Sequence, residues 1–121
     1  LEFGEYFGSP TGRYSLGMRK KLALLLAVAH RPDVLLLDEP TNGLDPQTAI
    51  RTREFLRAYA RSGHTVLVST HLLDMVERLA DRLLVIRHGE LVADGTVASV
   101  RASAGDGLSL EEAFVRLMGA P

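Results

Sequence analysis

A chain of 121 residues with 46% hydrophobic side chains has apolar material for one modest domain and not for a second complete one. Its 14 Lys and Arg are interspersed with 15 Asp and Glu, a formal net charge of −1, so nothing marks a nucleic-acid face or a membrane-binding stripe. The absence of cysteine excludes a disulfide framework, a thiolate metal site and a thiol nucleophile, and makes a reducing compartment the default.

Residues 1–13 hold three glycines and a proline without a period and read as a loop or frayed lead-in; no basic start followed by an apolar stretch marks them as a secretory signal. A helix is predicted from Leu16 to Arg31, with Ser15 as N-cap and Pro32 beyond its end. Its run Leu22 to Ala29 is far shorter than the roughly 20 residues of a bilayer crossing, and reads as a buried helix. The stretch DVLLL, too short for a helix and without alternation, suits a strand buried on both faces of a parallel sheet. Asp45 and Pro46 have the order of an N-cap and a first helical residue, opening a helix to about Ala60 that Ser62 and Gly63 close. HTVLVST is a second buried strand, and LLDMVERLA places Leu72, Val76, Leu79 and Ala80 on one helical face.

RLLVIRHGELVADG divides into two short strands about a His88-Gly89 turn, which predicts a mixed sheet. Thr96 can cap a short helix to about Ser103, and Ser109 with Glu112 forms a capping-box pattern ahead of a last helix ending near Gly119. Strands alternating with helices argue for an α/β layer structure.

In open α/β sheets, ligands gather beyond the carboxyl ends of the parallel strands. Both buried strands end there in polar groups: Asp38-Glu39 after the first, Ser69-Thr70-His71 after the second. An apolar strand leading into acids resembles the Walker B element of P-loop nucleotidases, while the same acids could simply cap a loop. The wider arrangement, YSLGMRKKLALLLAVAHRPDVLLLDEPTNGLDP with STH at 69–71, resembles the ATP-binding subunits of ABC transporters from signature motif through Walker B and D-loop to the switch histidine. It covers residues 14–121.

The resemblance implies the C-terminal part of a P-loop NTPase domain: signature helix at 14–31, Walker B, D-loop and switch-histidine core at 32–95, C-terminal helices at 96–121. It gives Asp38 the magnesium, usually through water, and Glu39 the polarisation of the attacking water. Ser15, Leu16 and Gly17 fall in the signature motif, which in this family faces the γ-phosphate of ATP held by the opposite subunit; Ser15 serves equally as a plain cap. Leu16 replaces the usual glycine and Met18 the usual glutamine, a variant like that of many exporter-type ATPases. Asp45 matches the D-loop aspartate at the dimer interface, and a plain N-cap role before Pro46 is compatible with it. His71 matches the γ-phosphate contact. Arg19, Lys20 and Lys21 fan around their helix and read as a solvated face; His30, His64 and His88 read as surface or turn residues.

No G-x-x-x-x-G-K-[ST] phosphate loop occurs in the 121 residues, Gly12 to Gly17 being followed by Met18-Arg19. The expectation is therefore half of an exporter's ATPase subunit, inactive alone, with unpaired neighbours along strands 34–37 and 65–69 and a tendency to self-associate. In the whole protein the resemblance implies ATP and Mg²⁺ as ligands, a transmembrane permease and a second ATP-binding subunit as partners, no nucleic acid, and a cytoplasmic place at the membrane. The alternatives are a non-transporter ABC-type ATPase and a non-catalytic interaction module.

Overall fold

The computed structural model describes residues 16–119, arranged as two compact units divided between His71 and Leu72. In the first, helix α1 (Leu16–Val28) is followed by strand β1 (Val34–Asp38), helix α2 (Pro46–Arg61) and strand β2 (Thr65–Ser69). The helix α1 stops three residues before Arg31 because a residue preceding proline is pushed out of the right-handed helical region; Arg31 adopts φ 51° instead. Strands β1 and β2 pair in parallel, Val34 beside Thr65 through Asp38 beside Ser69, so both carboxyl ends finish level.

Neither strand is buried on both faces. Leu35 is buried and Leu37, Val66 and Val68 are partly covered, whereas Val34, Leu36 and Leu67 on the opposite face are open, Leu36 being 68% exposed. The unbroken apolar run therefore holds two apolar faces, of which the described chain covers one. The helix α1 behaves similarly: Leu24 is buried but Leu26 is exposed, so it is not the wholly buried helix expected of its sequence.

The helix α2 begins as its sequence dictates. Asp45, in extended conformation, accepts from the Thr48 amide at 3.0 Å and the Thr48 hydroxyl at 2.6 Å, and Pro46 takes the first turn, where no amide is needed. Its buried residues are Thr52 and Leu56, four apart on one face. Beyond it, the Tyr59 hydroxyl and His64 Nδ1 both donate to the Pro32 carbonyl, at 2.6 and 3.0 Å, while the two rings stack. His64 thus ties the entry of β1 to the entry of β2.

The second unit contains helix α3 (Leu73–Leu79), the hairpin of strands β3 (Leu83–Arg87) and β4 (Glu90–Gly95), helix α4 (Val97–Ala104) and helix α5 (Leu110–Leu117). The antiparallel hairpin forms its own sheet, so the expected mixed sheet is replaced by two separate two-stranded ones. His88 and Gly89, at φ 49° and 79°, give the left-handed pair that a two-residue hairpin turn requires. Arg82 clasps Asp94 across the hairpin with two bonds of 2.7 Å. The helix α4 packs on β4 and α5, and Thr96 and the Ser109–Glu112 capping box close the N-termini of α4 and α5. Met75, Val85, Val100, Leu110 and Ala113 are the buried residues here; on α3 Met75 is the buried member of the partly covered face that also carries Leu72, Val76 and Leu79.

Candidate functional site

The level ends of β1 and β2 decide where the polar residues meet. Past Asp38, the Glu39 amide donates to the Ser69 carbonyl at 2.7 Å, one ladder step beyond the last strand pair. Glu39 then turns with φ 46°, a left-handed conformation that costs a residue with a Cβ about 1–2 kcal/mol and that surrounding contacts must hold.

Those contacts converge on both ends of the residue. At the carboxylate, Oε1 accepts from the His71 amide at 2.8 Å and from His71 Nδ1 at 2.5 Å, and Oε2 accepts from the Thr70 hydroxyl at 2.8 Å. At the backbone, the Glu39 carbonyl accepts from Lys20 Nζ at 2.6 Å and from the Asn42 amide at 3.4 Å. Partial burial pushes the Glu39 carboxyl up, but the His71 ring, the Thr70 hydroxyl and the His71 amide outweigh it and hold the group below its ordinary value. A carboxylate offers about four acceptor positions, and three are taken. The Glu39 side chain is 25% exposed and that of His71 69%.

From 40 to 45 the chain turns above the start of α1. Gly43 has φ 79°, and a Cβ there would lie 2.7 Å from Leu16 Cδ2, so the loop and the first turn of α1 are in close approach. Thr41 is buried and Asp45 ends the loop as the cap of α2. Asp38 is an exposed carboxylate at the end of β1. Magnesium is commonly held by one or two carboxylates with phosphate and water completing the shell, so this lone acid fits the ion without a cage, and no group of three or more metal-ligating side chains occurs among the described residues.

A family profile described as "AAA domain, putative AbiEii toxin, Type IV TA system" matches residues 2–74. The chain is 44% identical over 92 residues to the daunorubicin/doxorubicin resistance ATP-binding protein DrrA of Streptomyces peucetius, covering 76% of this chain and 28% of that protein. It is 48% identical over 84 residues to the Nod factor export ATP-binding protein I of Burkholderia orbicola, covering 69% and 28%. A solved ATP-binding subunit of an ABC transporter superposes with a TM-score of 0.84 at 32% identity, over 94% of this chain and 48% of that one. The chain belongs to the ABC-type ATP-binding domains, within the P-loop NTPase fold. It spans less than half the length of these relatives.

Within the ABC-type domain the residues singled out from the sequence are distributed as follows. Glu39 and His71 are in direct contact, Asp38 adjoins them at the strand end, and Asp45 stands at the far end of the same loop. Leu16 and Gly17 open α1, Leu16 against the Gly43 turn; Ser15 lies outside the described residues. Two residues named in the sequence were given no role at the site. Thr70 was legible in principle, since parallel strands of equal length set the residues after Asp38 beside those after Ser69. Lys20 corrects the reading of Arg19, Lys20 and Lys21 as a solvated face: it is half-buried and bound to the Glu39 carbonyl. Its signal was the spacing Leu16, Lys20, Leu24, which puts it on the face that carries the buried leucine.

Proposed function

We propose that this chain provides the signature, Walker B, D-loop and switch-histidine part of an ATP-hydrolysing subunit, and that the whole protein powers export of a substrate across a membrane. The observation that carries this reading is the Glu39 carboxylate, held at the end of a parallel strand by the Thr70 hydroxyl and by the amide and ring of His71. Phosphoryl transfer needs a positioned nucleophile and charge neutralisation more than covalent help from the protein. Oε2 of Glu39 accepts the proton of the water that attacks the γ-phosphorus, giving ADP and inorganic phosphate. Asp38 is the residue placed to hold Mg²⁺, which neutralises phosphate charge when bound. His71, whose Nδ1 is engaged by Glu39, donates to the transferring phosphate through Nε2 when its ring carries both protons.

Ser15, Leu16 and Gly17 serve ATP held by a second subunit, and Asp45 couples the two sites. The export relatives favour a permease partner and hence a cytoplasmic place at the membrane; among the described residues no helix is long and apolar enough to cross one. The 121 residues hold no phosphate-loop motif, and the proposal is that by themselves they do not hydrolyse ATP.

The test is magnesium-dependent nucleotide binding and turnover in the whole protein. Asp38→Asn should weaken Mg-ATP binding, whereas Glu39→Gln should bind ATP and lose hydrolysis. If both variants bound and hydrolysed ATP as the parent does, the assignment of this strand end would fail.

A further inference from the structure

We propose that Lys20 is a positioning residue for Glu39: its ammonium group, bound to the Glu39 carbonyl oxygen at 2.6 Å, holds the left-handed turn that aims the carboxylate at Thr70 and His71. The proposal rests on the reading of Glu39 as proton acceptor.

The Glu39 peptide groups leave the β-ladder at this residue. Its amide has the Ser69 carbonyl, while its own carbonyl is reached by the Asn42 amide only at 3.4 Å and by Lys20 Nζ at 2.6 Å. Half-buried carbonyls need a partner, and a left-handed glutamate needs a reason to stay left-handed. Lys20 supplies both with one charge-assisted bond. It is itself fixed, because Leu24 one turn later is buried and Leu16 one turn earlier meets the Gly43 turn. The ammonium binds the carbonyl and leaves both carboxylate oxygens to Thr70 and His71. Lys20 therefore acts through the backbone of the acid and touches none of the reacting atoms. Mechanically, the helix that carries the signature residues is pinned to the residue that takes the proton, so displacement of α1 would re-aim the carboxylate.

The test is a double-mutant cycle in the whole protein, with turnover expressed per mole of folded protein. Lys20→Met should lower kcat roughly 10- to 100-fold, as expected of a misplaced catalytic group, and leave the KM for ATP within about twofold. Lys20→Arg should restore most of the loss, because a single carbonyl acceptor can be reached by either cation. In a Glu39→Gln background, Lys20→Met should cost less than about twofold, since the group it positions is already gone. An equal loss in both backgrounds, or a loss in which KM rises while kcat is unchanged, would overturn the positioning role. Failure of Lys20→Arg to restore turnover would count against it as well. If Glu39→Gln alone turned over at the parental rate, the reading of Glu39 would fall and this proposal with it.

Discussion

Glu39 collects five hydrogen bonds of 2.5–2.8 Å, one given by its amide and four received by its carbonyl and carboxylate, and each neighbour does something different to it. Its folded pKa lies below the unfolded value, so the stability contributed by the ionised carboxylate is fully present above the unfolded pKa and is lost as pH falls through the folded one. Removing the Thr70 hydroxyl takes away one of the groups that hold the carboxyl down. In Thr70→Val the acid limb of the turnover profile should consequently move to higher pH, a shift that a pH series of initial rates would detect. His71→Ala should slow hydrolysis more than it weakens nucleotide binding, because its proposed contact is with the transferring phosphate; equal losses in both would make it a binding residue only. The residue types at this strand end were legible in the sequence, because Asp38-Glu39 and His71 follow apolar runs short enough only for strands. The grip on Glu39 was not, since Lys20 and Glu39 are far apart in the chain and nothing local announces the left-handed turn.

The N-termini of α2, α4 and α5 were the most legible features, and for a local reason. A cap and its partner lie three residues apart, as Asp45 and Thr48, Thr96 and Ser99, and Ser109 and Glu112 show. Ser109→Ala, which breaks the capping box, should lower stability by about 1 kcal/mol in chemical denaturation. Leu56→Ala removes a side chain only 1% exposed and should cost about 2–5 kcal/mol, measured the same way. Strand burial was misjudged because it depends on what lies across each face, and VLLLD has apolar residues for two faces where the described chain covers one. The hairpin was read correctly because His88-Gly89 sits between two apolar runs. Its separate sheet was not, since pairing between distant strands leaves no local trace.

Across the whole chain, the α/β character and the family likeness were both present in the order and spacing of the motifs, from the signature residues of α1 to His71. The division at His71 and Leu72 was not, because it arises from packing rather than from a glycine- or proline-rich linker. The 121 residues contain Asp38, Glu39 and His71, to which we assign the magnesium and hydrolysis roles, but no G-x-x-x-x-G-K-[ST] sequence for the β- and γ-phosphates. Calorimetric titration of the isolated chain with Mg-ATP should accordingly show no tight binding, and micromolar affinity would show that the phosphate loop is dispensable. The central claim, that Glu39 takes the proton of the attacking water, is tested most directly by phosphate release from the whole protein carrying Glu39→Gln. The variant should still bind ATP while hydrolysis falls about 10²–10⁴-fold, the usual worth of a positioned proton acceptor; steady-state turnover near that of the parent would contradict it.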